Sequence, residues 1–289
     1  MKWFKERDRN TKFFHSYVRG RRKKLHIESI KDIRGVEVHS NDQKGEIEVE
    51  YFQNQFSEEE RHRDYGLLQH IPRLISEEQN EEMFQLPRKE EVRKVVFKLN
   101  GENASGPDCF SGSFFQHCWE IIGEDLTRLV KAFFCGQELP KFITHTNIVL
   151  IPKKEKVQEF KDLRRISLSN FTNKVISRMI HERIVGVLPN IISQNQSGFV
   201  KRRSITENVL LAQEIIRDMH LRNKQTNEVV KLDMAKASDR VDWIFLTKVL
   251  RKFGFSEGVI DMIWRLVSGN WYSIMINGQT HGFSTPLED

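Results

Sequence analysis

The sequence has few cysteines, and they lack the spacing that a structural role requires. Its 289 residues include three of them, Cys109, Cys118 and Cys135, and no two form a Cys-x-x-Cys pair. An odd number without that pair indicates reduced thiols rather than a disulfide framework, and it argues against a zinc site. We therefore expect an intracellular protein.

Long apolar runs are also missing. No stretch approaches the roughly 20 apolar residues that a membrane-spanning helix needs, and residues 1–5 lack the apolar region of a signal peptide. A hydrophobic fraction of 38% and a charged fraction of 30% are typical of a globular chain with a packed core. We expect no membrane partner.

Positive charge is concentrated at one end. Residues 1–24 hold ten Lys/Arg and two Asp/Glu, a local net charge of +8 in a chain whose total is +6. The densest part of this basic arm consists of Arg19, Arg21, Arg22, Lys23 and Lys24. Cations that follow aromatic residues such as Phe13 and Tyr17 fit nucleic-acid phosphates and bases. A solvated helix face or a nuclear-import signal would have the same composition.

The hydrophobic pattern predicts an α+β fold in which helices dominate. Apolar residues at helical spacing predict helices that include residues 2–24, 43–56, 113–135, 173–188, 204–222, 236–253 and 256–268. Strands are predicted over 147–151 and 227–233, and hairpins around 32–35 and at Asn277-Gly278. We expect four regions: a basic helical linker (1–56), an irregular acidic linker (57–88), and regions 89–226 and 227–289.

One carboxylate lies where a metal site would be useful. The short β-branched run at residues 227–233 places Asp233 at the end of a predicted strand, just before a helix. Two hard cations about 4 Å apart need several oxygen ligands, and a strand end can hold such a ligand rigidly. On position alone, a helix cap or a surface acid is the better explanation of such an aspartate.

The residues around Asp233 form a longer pattern. The string KLDMAKASDRVDW at 231–243 closely resembles the first catalytic motif of reverse transcriptases from plant non-LTR (LINE-type) retrotransposons. The resemblance continues, in order, through SGPD at 105–108, LIPK at 150–153, LRRISL at 163–168, NQSGFVK at 195–201 and ING at 276–278. Residues 7–15 resemble the segment that joins the endonuclease and polymerase parts of these elements, so the resemblance covers nearly the whole chain.

The resemblance implies a right-hand polymerase fold. Region 89–226 would be the fingers and 227–289 a partial palm that contains the first catalytic motif. After Phe283 the family continues into further palm motifs, including a pair of aspartates, whereas this sequence reads STPLED at 284–289. We expect the thumb and endonuclease to be absent, and expect negligible nucleotide addition by the chain alone.

The resemblance also implies roles for individual residues. Asp233, with the Met234 backbone carbonyl, would bind the catalytic Mg²⁺ ions. The residues expected to contact the RNA template or incoming nucleotide are Arg164, Gln196, Lys201, Arg203 and Ser238. An RNA template and a DNA primer would be the partners, and the nucleus the location. The alternatives are a non-catalytic RNA- or DNA-binding remnant and an inert pseudogene product.

Three positions depart from the family pattern. Ser238 stands where the family has an aromatic ring that occupies the space of a ribose 2′-hydroxyl, so discrimination against ribonucleotides should be weaker. Arg165 replaces a proline, and Cys109 replaces a glycine. Each is consistent with decay of an element that is no longer under selection for activity.

Overall fold

The computed structural model describes residues 11–32, 34–56, 65–154, 157–198, 200–218, 230 and 241–284. In chain order the elements are helix α1 (Lys12–Leu25), strands β1 (Ile30–Lys31) and β2 (Glu37–Val38), helices α2 (Asn41–Phe56), α3 (Glu77–Phe84), α4 (Lys89–Lys98), α5 (Gly112–His117), α6 (Trp119–Phe134) and α7 (Lys141–Thr144), strands β3 (Thr146–Pro152) and β4 (Leu163–Ser169), helices α8 (Phe171–Ile184), α9 (Leu188–Ile191), α10 (Ile205–Asp218), α11 (Trp243–Phe253) and α12 (Glu257–Ser268), and strands β5 (Tyr272–Ile276) and β6 (Gln279–Ser284). The α+β expectation is confirmed. In these ranges no helix is long and apolar enough to cross a membrane.

The chain divides into two compact units that do not follow the sequence linearly. The first unit comprises Met1–His62, Leu86–Arg178 and Met262–Asp289, and the second comprises Arg63–Gln85 and Met179–Asp261. The four linear regions expected from the sequence stay a prediction. Strand pairing nevertheless joins residues of the expected fingers to residues of the expected palm, within the first unit.

A sheet in the order β4-β3-β5-β6 organises the first unit. Strands β3 and β4 are antiparallel, β3 and β5 are parallel, and β5 and β6 form a hairpin. Alternate residues of these strands, such as Ile148, Leu150, Ile274 and Ile276, point to one face and form a buried cluster. The hairpin turn predicted at Asn277-Gly278 is confirmed, with φ of 51° and 85° at the two positions.

Helix α2 covers this face of the sheet. It approaches β6 so closely that a Cβ on Gly45 would lie 2.3 Å from the His281 ring. Two ionisable residues of α2, Lys44 and Glu48, are 1% and 0% exposed. The helix therefore brings charge-bearing groups into an apolar layer, which is costly unless they are bonded or neutralised.

The remaining helices of the first unit pack around aliphatic and aromatic side chains. Val92 and Val96 of α4 and Val130 of α6 are completely buried. The prediction of one helix over 113–135 is wrong, because the chain bends at Cys118 (φ −91°, ψ 13°), which ends α5 and begins α6. Ser111 caps α5 by accepting a hydrogen bond from Phe114.

The second unit contains α3, α9, α10 and α11 together with the adjoining parts of α8 and α12. The prediction of an irregular acidic stretch is wrong for Glu77–Phe84, because Ser76 and Gln79 form a reciprocal capping box that starts helix α3. Asn80 ties this helix to the following elements, donating to the Gly254 carbonyl (2.8 Å) and accepting from the Ser256 amide (2.8 Å). Gly254 ends α11 in the left-handed conformation (φ 98°), as its position in the sequence predicts.

Candidate nucleic-acid interface

The basic arm lies on an exposed helix. Helix α1 begins at a Thr11 cap, which accepts a hydrogen bond from Phe14 (3.4 Å), and no residue of the helix is buried. The five cations predicted to bind nucleic acid, Arg19, Arg21, Arg22, Lys23 and Lys24, are all exposed. Three of them occupy the last turn, where the helix dipole favours positive charge. The helix therefore presents a dense positive surface to solvent.

A second group of cations lies around the β3–β4 hairpin. Arg164 is exposed on β4, opposite Ile151 of β3. Within the described residues no hydrogen bond or ion pair engages its guanidinium group. Lys153, which directly follows β3, is exposed and donates to the Lys161 carbonyl (2.8 Å). The side chain of Arg164, which was predicted to contact the RNA template or nucleotide, is thus accessible to a phosphate.

Asp162 fixes the segment that connects these two strands. Its carboxylate accepts from Lys154 Nζ (2.8 Å) and from the amides of Gln158 (3.0 Å) and Glu159 (3.2 Å). The Lys154 bond, helped by the two backbone bonds, lowers the pKa of Asp162 to about 2. This carboxylate is therefore ionised at neutral pH and holds the hairpin connection in shape.

The segment with the other predicted contacts belongs to the second unit. Gln196 and Lys201 are exposed, whereas Ser197 between them is 6% exposed. Arg203 lies within the same loop, and its guanidinium group donates to the carbonyls of Gln196 (2.8 Å), Pro189 (2.9 Å), Ile192 (3.0 Å) and Ser193. Gln196 and Arg203 are thus in direct contact, through the Gln196 backbone.

These bonds commit the four terminal N–H groups of Arg203 to the protein itself. A planar guanidinium fork can bind several carbonyls at once, and a lysine ammonium cannot reproduce that geometry. The geometry favours a positioning role, in which Arg203 shapes the loop that presents Gln196 and Lys201. Direct contact between Arg203 and a nucleotide stays a prediction.

The turn at 105–109 is held by a residue that the sequence did not single out. Asn170 is 1% exposed; its Oδ1 accepts from the Asp108 amide (3.1 Å), and its Nδ2 donates to the Phe142 carbonyl (2.6 Å). Cys109 has a φ of 63°, in the left-handed region that glycine tolerates best. The geometry explains the glycine that the resembled family has there. No sequence pattern indicated this role for Asn170, which lies three residues before the predicted helix 173–188.

Three predicted site residues, Asp233, Met234 and Ser238, lie outside the described residues. Within the described ranges, no group of three or more His, Cys, Asp or Glu side chains could hold a metal ion. The described residues therefore do not fit a magnesium site by themselves, and no catalytic step can be derived from them. Asp242, near the end of the 231–243 string, caps α11 by accepting a hydrogen bond from the Phe245 amide (2.9 Å).

Comparisons with known proteins bear on the same region. Residues 151–286 match the sequence model of the family described as reverse transcriptase (RNA-dependent DNA polymerase). The matched range includes Arg164, Gln196, Lys201, Arg203 and Asp233.

One relative extends the similarity. The chain is 26% identical over 204 residues to the Transposon TX1 uncharacterized 149 kDa protein of Xenopus laevis. The alignment covers 71% of this chain but 16% of the relative, so the chain spans about a sixth of that protein's length. From residue 151 to residue 286, the chain is similar to reverse transcriptases.

Proposed function

We propose that this chain is part of an RNA-directed DNA polymerase, the reverse transcriptase of a LINE-type, non-LTR retroelement of the kind found in plants. The observation that carries the proposal is the ordered series of motifs ending in the Asp233 string, within the range that matches the reverse transcriptase family. The transposon relative supports the same conclusion. Strands β3 to β6 would belong to the fingers and palm.

In this proposal the substrates are nucleic acids. The RNA template and DNA primer would meet the exposed cations of α1, together with Arg164 and Lys201, through their phosphates. The basic cluster also has the composition of a nuclear-import signal, which fits a nuclear location. Asp233 would hold the divalent metal, which neutralises charge during phosphoryl transfer when bound.

A second candidate function is nucleic-acid binding without nucleotide addition. The exposed helix α1 favours it, because phosphate binding by that helix requires no metal site. Both candidates predict salt-dependent binding to RNA, and they differ in whether Asp233 binds a divalent cation.

Replacing Arg21, Arg22, Lys23 and Lys24 together by alanine should weaken RNA binding, whatever the RNA sequence. Each phosphate contact contributes about 0.7 to the slope of log K against log salt for single strands, so the slope should fall by up to about 3. Fluorescence anisotropy with a labelled RNA over a salt series measures both quantities.

The matched control removes the same charge from the exposed face of another helix of the first unit. Arg88, Lys89, Lys94 and Lys98 on or next to α4 are exposed, and their replacement by alanine should leave most of the slope intact. If both quadruple variants lose the same slope, net charge alone is responsible, and the specific role of α1 is wrong.

The Asp233→Asn variant should bind divalent cations at least tenfold more weakly, because an amide oxygen carries no net charge for a hard cation. Electron paramagnetic resonance measures Mn²⁺ binding in the presence of RNA template, DNA primer and nucleotide. Asp239→Asn, six residues further along, serves as the control and should bind Mn²⁺ as the parent does. Equal Mn²⁺ binding by the Asp233 variant and the parent would overturn the polymerase proposal and leave the binding function.

A further inference from the structure

The segment that follows the basic helix is bound to the sheet by an asparagine side chain. Asn277, in the β5–β6 turn, accepts from the Ile27 amide through Oδ1 (2.9 Å) and donates to the Ile27 carbonyl through Nδ2 (3.0 Å). It thereby pairs with both backbone groups of one residue, as a neighbouring strand would. Nδ2 also donates to Oδ1 of Asn41 at the start of α2 (2.9 Å).

A buried lysine secures the same segment from a second side. Lys44 Nζ donates to the carbonyls of Ile27 (2.7 Å) and Glu28 (3.2 Å), and Lys44 is 1% exposed. Burial lowers the pKa of this amine. The Ile27 side chain is 3% exposed and belongs to the buried cluster of the sheet. Bonds and apolar contacts therefore fix the chain two residues after α1 ends at Leu25.

This attachment places the basic helix at a particular end of the sheet. Strands β3 and β5 are parallel, so the Asn277 turn after β5 lies at the same end as Lys153, which follows β3. The anchored segment also reaches the β3–β4 connection, because the Lys31 amide donates to the Gln158 carbonyl (2.8 Å). The first residue of the cluster, Arg19, is six residues from the end of α1 at Leu25, about 9 Å of helix rise.

We propose that Asn277 is a positioning residue that holds the α1 cations and the β3–β4 hairpin cations as one binding surface for a single RNA strand. The inference rests on the proposed function, since it assumes that these cations contact RNA phosphates. Without these bonds, α1 would be attached to the sheet only through the chain. RNA binding would then have to order the helix, and the effective concentration of its cations near the hairpin cations would be lower. With Ile27 anchored, the carboxyl end of α1 is already held at the sheet before RNA arrives.

Asn277→Gly tests the proposal, because glycine adopts positive φ readily and keeps the turn while removing the side chain. The first readout is amide hydrogen exchange at residues 26–28, which should accelerate in the variant while β3 and β5 stay protected. The second is RNA affinity, which should fall roughly tenfold. Lys44→Met, which removes the second set of bonds, should act in the same direction.

A double-mutant cycle separates positioning from general damage. The alanine replacement of Arg21, Arg22, Lys23 and Lys24 should cost much less affinity in the Asn277→Gly background than in the parent. Ser29→Ala, which removes an exposed bond to Glu37 in the same segment, should leave both readouts unchanged.

Each failure has a distinct meaning. If the quadruple alanine change has no effect in the parent, the proposed RNA contact of α1 is wrong. If it weakens binding equally with and without Asn277, the RNA contact holds and the positioning role is wrong. Faster exchange across β3 and β5 in the Asn277→Gly protein would also reject positioning, because Asn277 would then be needed for the sheet itself.

Discussion

Replacing Glu48 by glutamine should make the protein more stable than the parent at pH 8, with a difference that shrinks toward pH 5. Glu48 lies on the buried face of α2 at 0% exposure, and within the described residues neither carboxylate oxygen has a hydrogen-bond partner. Burial raises its pKa from 4.5 to about 9, and the positive charge of Arg165 partly opposes that shift. The carboxyl group is therefore neutral in the folded protein at pH 7.

The direction of the effect follows from proton binding. Between pH 4.5 and about 9 the folded protein keeps a proton that the unfolded chain has lost. The free energy of unfolding therefore falls as pH rises, by about 1.4 kcal/mol per pH unit at most. Glutamine stays uncharged in both states and removes this dependence. The charged group that acts on this carboxylate is Arg165 on β4, and Lys44 lies one turn before it on the same helix.

Urea unfolding at several pH values from 5 to 9 measures the difference. Glu46→Gln is the matched control, since Glu46 lies two residues away on the same helix and is exposed. The control should run parallel to the parent. If the Glu48→Gln curve also runs parallel to the parent, Glu48 is ionised in the folded protein and its assigned environment is wrong.

Gly106→Ala should destabilise the protein by about 3 kcal/mol, because the added methyl group has no space. Its Cβ would lie 2.4 Å from Oδ1 of Asn170, 2.5 Å from the Asn170 amide and 2.5 Å from the Ser169 carbonyl carbon. Two of these atoms are backbone, so a side-chain rotation cannot relieve the clash. The turn at 105–109 would separate from the start of α8 and lose the Asn170 bond to Asp108.

Thermal and urea unfolding of Gly106→Ala would show this loss. Gly20→Ala is the control, since nothing lies within 4 Å of a Cβ at Gly20, and alanine is the better helix former. That variant should keep or gain stability. A Gly106→Ala protein as stable as the parent would mean that the contact between the turn and Asn170 does not form.

Local signals in the sequence predicted much of the fold. The apolar run at 148–151, closed by Pro152, located β3, the Asn277-Gly278 pair located the β5–β6 turn, and Gly254 marked the end of α11. Each of these features is determined by residues that are adjacent in the sequence, so it can be predicted from one sequence alone. The prediction failed at Cys118, where apolar spacing continues through a bend in the backbone.

Long-range contacts could not be predicted in the same way. Arg203 was expected to contact nucleotide or template, yet its bonds to four carbonyls depend on how the loop folds back. Asn277 was identified as a turn residue, whereas its bonds to Ile27 span 250 positions. Buried polar side chains form hydrogen bonds with partners that can be distant in sequence. Hydrophobic periodicity carries no information about those partners.

The parallel pairing of β3 with β5 has a consequence for biosynthesis. Thr146 pairs with Tyr272, so the sheet combines segments made far apart in time during translation. The amino-terminal part of the chain leaves the ribosome first. Until residue 276 emerges, the edge of β3 that pairs with β5 has unpaired backbone amides and carbonyls. Nascent chains of this protein should therefore need shielding from one another until the β5–β6 hairpin leaves the exit tunnel.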